Sequence, residues 1–392
     1  MANTILTPTM VTREALRILH QKLNFIGSIN RQYDDQYAKK GAKIGNTLNI
    51  RLPNQYVVRT GATLSTQDTV ETTVPLTVST QKGVDLNFTS VDLTLSLDDF
   101  SKRIIAPAMA VLAANIEADA MNMAKDVYNV VDNHGAALTL TQILKARKIL
   151  QDNLAPMDDR TANLNTQDNV DLVNALKGLF QDSGSIAKQY KEGYMGRTAG
   201  FDFMENTLWP GFTPGAANGA YVVNGGAQTG ASLAVNTGAG AMVVGDVFTI
   251  AGVFRVHPES KASTGILQQF TVTAANAGGA VSVAISPSIV TTGATQNVSG
   301  SPANGAAITF VGAANVATGQ SMVYHEDAFT FATADLVMPQ GVDWSAREVH
   351  DGLSIRIVRA YDINNDKFPC RLDILYGYKT IRAQLAARLL NN

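Results

Sequence analysis

"HDGLSIRIVRAYDINNDKFPCRLDILYGYK", residues 350–379, sets two alternating apolar runs on either side of a polar knot. Leu353, Ile355 and Ile357 share one side of the first run. Leu372, Ile374 and Tyr376 share one side of the second. Successive side chains point to opposite faces of a strand, so each run reads as a half-buried β-strand. In the knot, Asp362, Asn364 and Asp366 occupy the first, third and fifth positions of an EF-hand calcium loop, and Asp373 the twelfth. Such a loop needs flanking helices, a glycine at the sixth position and usually glutamate at the twelfth. Here the flanks are strands, the sixth residue is Lys367, Pro369 follows, and Asp373 lies inside a strand. The stretch therefore predicts two antiparallel strands joined by a turn, whose Asn and Asp suit turn geometry. It is not read as a calcium site.

Working outward, Ile381, Leu385 and Leu389 follow at helical spacing and predict a short C-terminal helix. Upstream, composition changes sharply. Residues 211–320 hold 18 of the 32 glycines but only four charged residues, Asp246, Arg255, Glu259 and Lys261. Short β runs at "DVFTIAGVFRV", "LQQFTVTAA", "AVSVAISPSI" and "AAITFVG" are bounded by turn residues, which predicts a small all-β module inserted in an α+β body. Periodic Val, Ile and Phe argue for order over 246–311, and less so over 213–240. Residues 139–210 mix helix ("TLTQILKARKILQDNL", "NVDLVNALKGLF") with short strands.

Nearer the start, Leu16, Leu19 and Leu23 predict a helix with Thr12 as N-cap, within an arm spanning 1–45. "TLNIRLP" alternates as a strand. In "VPLTVSTQKGVDLNF", Val74, Leu76 and Val78 align, as do Val84, Leu86 and Phe88, and "STQKG" between them predicts a hairpin turn at Gly83. Ser96, Asp98 and Asp99 predict the start of a long helix over 96–131, with Pro107 in its first turn or at a kink. Leu112, Ile116, Met123, Val127 and Val130 would lie near one face.

The 392 residues carry a net charge of −2 and are 45% hydrophobic, enough for a large core without a basic surface for gripping nucleic acid. The single cysteine, Cys370, excludes an intrachain disulfide and reads as a packed hydrophobe. No signal peptide or transmembrane helix is expected. Asp182-Ser183-Gly184 in "QDSGS" lacks the glycine of a trypsin-like serine, and His134 sits in a turn, so no triad is indicated. "GAGAMVVG" lacks phosphate-loop spacing. His20, His134, His257, His325 and His350 are scattered. No catalytic residue, cofactor or metal is expected. What the chain does have is structure without an evident intrachain use: a hairpin, an N-terminal arm and a nearly uncharged β insertion. Such elements suit association with other copies.

The order of these elements resembles the major capsid proteins of tailed bacteriophages, in the P22-like coat protein branch. "GAKIGNTLNIRLPNQYVVRTGA" is similar to the entry of that family's extended loop, and "SLDDFSKRIIAPAMAVLAANIEADAM" to its spine helix. "HDGLSIRIVRAYDINNDKFPCRLDILYGYKTIRAQLAARLL" resembles its peripheral-domain strands and C-terminal end. "GDVFTIAGVFRVHPESKASTGILQQFTVTAA" resembles the start of the branch's extra β-barrel domain. The resemblance implies the HK97-type α+β capsid fold with an inserted small all-β domain. On it, 1–45 is the N-terminal arm, 46–95 the extended-loop hairpin, and 96–135 the spine helix of the peripheral domain. The axial domain is 136–210 and 319–345, the inserted β-barrel-like domain 211–318, and 346–392 the peripheral strands with a C-terminal helix.

The resemblance also implies self-assembly into hexamers and pentamers of an icosahedral shell, built in the bacterial host cytoplasm. Its implied partners are a scaffolding protein, a portal protein and packaged double-stranded DNA bound without sequence specificity. No enzyme activity and no membrane are implied. Some relatives join neighbours through a Lys–Asn isopeptide bond, but that is not the chemistry of this branch. With 46–90 laid across a neighbour, Arg51, Arg59, Lys82 and Asp85 become candidates for intersubunit ion pairs. Rival readings are an encapsulin-like cargo shell, a secreted β-rich adhesin, which should show a signal peptide, and a hydrolase using Ser183.

Overall fold

The computed structural model describes residues 8–34, 47–64, 66–69, 71–88, 105–176, 196–217, 220–350, 353–363 and 367–391. Two compact units emerge. Unit one comprises Met1–Arg51, Thr73–Met121 and Phe329–Lys379; unit two comprises Leu52–Thr72, Asn122–Ala328 and Thr380–Asn392.

In unit one the helix α1 (Pro8–Lys22) leads into β1 (Asn30–Asp34). Pro8 opens the helix, where a missing N–H costs nothing. Thr12, expected as the N-cap, lies inside the helix and is buried. Within the predicted arm, α1 and the turn after it pack in their own chain: Leu16, Leu19, Leu23, Phe25 and Ile29 are all buried. The helix α2 (Ala106–Met121) places Pro107 in its first turn and turns Met109, Leu112, Ile116 and Ala120 into the core. It ends before the predicted end at 131. A 3-10 turn, Asn122–Asp126, follows it, and Val130 is already in a strand. Alanine and methionine favour helix, but the β-branched Val130 and Val131 side chains favour the pleated conformation that tertiary pairing offers them. Ser96, Asp98 and Asp99 lie outside the described residues.

The unit-one sheet runs in the order β1, β16 (Phe329–Ala334), β19 (Phe368–Thr380), β18 (Leu353–Arg359), β17 (Trp344–His350), with β4 (Thr80–Phe88) also paired to β19. The two alternating runs around Ile355 and Ile374 are thus β18 and β19, antiparallel, with Arg356 opposite Asp373. β16 belongs here, although its residues were expected with the axial segment 319–345. The rings of Phe25 and Phe329 meet at 5.7 Å, tying the segment after α1 to the sheet, and those of Phe331 and Tyr376 meet at 5.5 Å between β16 and β19.

The predicted hairpin is re-paired. β2 (Thr47–Arg51) and β3 (Thr73–Thr77) form a two-stranded ladder, Leu48 opposite Leu76, while β4 pairs with β19 instead of turning back on β3. Leu76 and Val78, with Leu48 and Ile50, pack on Ala332, Ala334 and Leu375. "STQKG" is therefore strand entry, and Gly83 serves close approach and not a turn. A Cβ there would stand 2.5 Å from the Leu372 carbonyl oxygen and 2.6 Å from Asp373 Oδ1. Gly83→Ala is expected to force β4 off β19 and to destabilise unit one by about 1–3 kcal/mol, the usual range for overpacking. Chemical denaturation of the unassembled subunit measures it; an unchanged midpoint would show that the strands separate freely.

Unit two is built on a mixed sheet in the order β5 (Val130–Asp132), β20 (Ala386–Asn391), β15 (Gly319–His325), β6 (Arg160–Leu164), β8 (Phe201–Glu205), β7 (Arg197–Thr198). Helices α3 (Leu140–Asp152) and α4 (Thr166–Leu176) pack on it. The expected C-terminal helix is only the 3-10 turn Ala383–Leu385; the chain then becomes β20, buried along its whole length. Ala, Leu and Arg favour helix locally, but a strand inside a sheet covered on both faces also reads as a continuous apolar run.

The inserted module spans β9 (Val222–Val223), β10 (Gly230–Asn236), β11 (Val247–Val256), β12 (Ser263–Val272), β13 (Ser282–Ile289) and β14 (Ile308–Phe310). Sheet order is β14-β11-β12-β13-β10-β9, and a bridge from Val222 to Ala307 returns β9 to the β14 side, closing the sheet. Order thus extends into 213–240, where β9 and β10 lie. Phe248, Phe270 and Phe310 stack inside with Ile250, Val272, Leu233 and Tyr221. Gly238 is required by the Tyr221 ring, which a Cβ would meet at 2.1 Å. The two ends of the insertion are stitched by Phe212 and Thr318, whose backbones exchange hydrogen bonds of 3.0 and 2.9 Å.

Candidate assembly site

No group of three or more His, Cys, Asp or Glu able to hold a metal occurs among the described residues. Asp362 is tied by backbone to Lys367, Asp373 is taken by arginines, and Asn364 and Asp366 lie outside the described residues. Ser183 also lies outside them. Cys370 is buried in β19, and burial pushes its thiol up to about 12. It is a packed hydrophobe in chemistry as well as position.

The most exposed stretch of the described chain is the arm beyond β2 and β3. Leu52 N–H closes the ladder on the Thr72 carbonyl, 2.9 Å. Past it, every described residue from 53 to 69 is exposed. Tyr56 is 58% exposed, Leu64 78% and Val58 88%. Side chains shape the arm from within: the Gln67 amide pairs with both backbone groups of Val57, and Arg59 donates to the carbonyls of Gly61 and Thr63. These bonds fix a conformation without covering its apolar side chains.

The four charged residues singled out in the sequence do not converge. Arg51 ends β2, Arg59 is turned onto its own arm, and Lys82 and Asp85 sit on β4. Lys82 has a partner in its own chain, Asp119 of α2, at 2.7 Å. Asp119 also accepts from Tyr376 Oη at 2.5 Å. Asp85 stands opposite Arg371 in the β4–β19 ladder.

The residues missed are buried charges. Asp373 is held by Arg356 at 2.7 Å and by Arg371 at 2.8 Å. Burial acts to raise its carboxyl, but the hydrogen bonds and charge of the two arginines outweigh it and leave it below the usual range. In unit two, Asp168 accepts from Ser321, Asn391 and Asn165, and Asp246 accepts from the N–H groups of Gly215 and Val243; burial raises both carboxyls. Arg388 is fully buried. The available signal was a lone charge inside an apolar run, as in "LDIL", "VVGDVF" and "AARLL".

A two-unit α+β chain with an uncovered arm, a docked all-β insertion and no catalytic cluster among its described residues has the makings of a building block for a larger assembly. The family model for P22 coat protein, gene protein 5, matches residues 32–388, and the chain belongs to that family. It is a major capsid protein of the tailed-phage type, a structural component of the icosahedral virion shell and not an enzyme. Its described structure is α+β with an inserted all-β domain. Among solved structures, a chain of Mycobacterium phage Che8 is similar at 13% identity, covering 94% of this chain and 90% of that one, with a TM-score of 0.46. The mature capsid of bacteriophage PhiM1 is similar at 12% identity, covering 94% and 87%, with a TM-score of 0.48. The CUS-3 coat protein I-domain is 31% identical over 24% of this chain and 96% of that one, with a TM-score of 0.19. No curated protein matches the chain.

Proposed function

We propose that the subunits join as hexamers and pentamers through the arm at 52–72, which lies across a neighbouring copy. The observation that carries this is the row of exposed Tyr56, Val57, Val58 and Leu64 on an arm whose own hydrogen bonds already fix its shape. Exposed apolar surface of this kind is stabilised by burial at about 25 cal/mol per Å². A pre-shaped arm loses little conformational entropy on docking. In this reading Arg51 and Arg59 flank the contact. Lys82 and Asp85 are further candidates for ion pairs with a neighbour, Lys82 keeping its bond to Asp119 and reaching a neighbour's carboxylate only as a shared partner.

The partners in this reading are a scaffolding protein during assembly, a portal protein at one vertex, and double-stranded DNA inside. Net charge of −2 supports a lining that encloses DNA without gripping it. Unit one then serves as the peripheral domain and the sheet of unit two as the axial domain, with the barrel at 211–318 as a contact between capsomers or an aid to folding.

The experiment replaces residues 54–71 with a short Gly-Ser link. The variant is expected to keep the circular dichroism and unfolding midpoint of the wild-type subunit and to form no closed shells by electron microscopy. Normal shells from the variant would refute the arm's role. Nucleic acid recovered from wild-type particles separates a DNA-packaging shell from one that holds protein cargo.

A further inference from the structure

β20 has two different neighbours on its two faces. Ala387, Leu389 and Asn391 point one way, and Asn391 Nδ2 donates to Asp168 of α4 at 3.0 Å. Arg388 and Leu390 point the other way, onto the root of the insertion. Leu390 clusters there with Val130, Phe212 and Val247. Arg388 Nη2 donates to the Gly245 carbonyl at 2.7 Å, and its guanidinium lies 5.1 Å from the centre of the Phe212 ring. Only glycine suits position 245: its φ is +97°, and a Cβ would meet Phe212 at 3.1 Å and Lys125 at 3.2 Å. Asp246 beside it holds the root loops together through Gly215 and Val243.

We infer that Arg388 is a latch that couples seating of the inserted barrel to closure of the β5–β20–β15 sheet. The sequence of β20 is otherwise small and apolar, and a one-residue slip would exchange its faces. Arg388 and Asn391, three apart, mark one face each. A guanidinium in this position is tolerable only with its partners in place. It is fully buried, and its Nε and Nη1 have no hydrogen-bond partner among the described residues. Burial draws its pKa down to about 10 even with Asp246 and Asp126 nearby. With the root displaced, Arg388 would be a buried charge without compensation, so β20 would loosen. With β20 out, the root loses its cover. Coupling between two such equilibria is reciprocal. A second tie strengthens the seat: the Gln269 side chain of β12 bonds both backbone groups of Val130, at 2.8 and 3.1 Å, and Val130 is the β5 residue in register with Arg388.

The test is hydrogen–deuterium exchange on the unassembled full-length subunit. Asp246→Asn weakens the root loops and removes a carboxylate whose charge supports Arg388, while leaving every backbone bond of β20 in place. It is expected to speed exchange of the Arg388–Asn391 amides by roughly tenfold, a typical coupling, while amides of Phe248 and Phe270 in the barrel core keep wild-type rates. In an Arg388→Met background the same Asp246→Asn change should leave the β20 amides unaffected, because the latch is already gone. Wild-type β20 rates in Asp246→Asn, or an equal acceleration in both backgrounds, would overturn the inference. Should Arg388→Met not fold, Phe212→Leu replaces it as the latch-weakened background, with the same two outcomes.

Discussion

A chain stopped after Leu385 is expected to lose the cooperative unfolding of unit two altogether. β20 pairs with β15 along six residues and with β5 along three, so its removal leaves two interior strand edges unpaired. Leu389 and Leu390 are buried, and burying each such side chain contributes about 1.5–3 kcal/mol. Removing the strand also strands Asp168 without Asn391 and uncovers Phe212 and Val247. Together these losses rival the whole stability of a domain, about 5–15 kcal/mol. The barrel has a separate core and should retain its own protected amides. Hydrogen exchange reads both regions in one experiment. A truncated chain whose β6 and β15 amides exchange as slowly as in wild type would show that the strand is dispensable.

Asp373→Ala is the second large effect. Arg356 is mostly buried, and its partner Asp373 almost entirely so. Removing the carboxylate leaves the Arg356 guanidinium, among the described residues, with the Val337 carbonyl, 2.7 Å away. Breaking a buried pair from one side costs about 3–5 kcal/mol; Arg371, largely in solvent, adds little. The double variant Asp373→Leu, Arg356→Met should lose much less, because it removes both charges at once. A double variant as unstable as the alanine would assign the loss to packing. The same site sets an acid limit. The folded carboxyl is held below its unfolded value of about 3.9, so its contribution is complete above that pH and disappears as pH falls below it. Asp373→Ala should therefore flatten the acid side of the stability curve. Asp168 and Asp246, both raised by burial, act in the opposite sense: their ionisation costs stability as pH rises above the unfolded carboxyl value.

Local alternation made β18, β19, β11 and β13 legible, because period-two patterning survives in any sheet with one buried face. Composition marked the insertion, since a charge-poor, glycine-rich run stands out against the rest. What failed were choices between partners. "STQKG" has the residues of a turn, yet Gly83 answers to the Leu372 carbonyl, 289 residues further along the chain. "RAQLAARLL" has the spacing of a helix, yet its neighbours β5 and β15 make it a strand. Asp119, the partner of Lys82, carried no signal of its own in the sequence.

By itself the sequence determined the α+β class, the placement of the inserted β module, the lack of a recognisable catalytic motif and the resemblance to phage coat proteins. Each of these is a property of local pattern or composition. Only the tertiary structure decided that β4 pairs with β19, that the first helix is packed inside its own chain, that the last strand is paired on both edges inside a sheet, and that Arg388 and Asp373 are held by buried partners. Those outcomes depend on which distant backbone edge or opposite charge satisfies a buried group, and no local pattern encodes that distance.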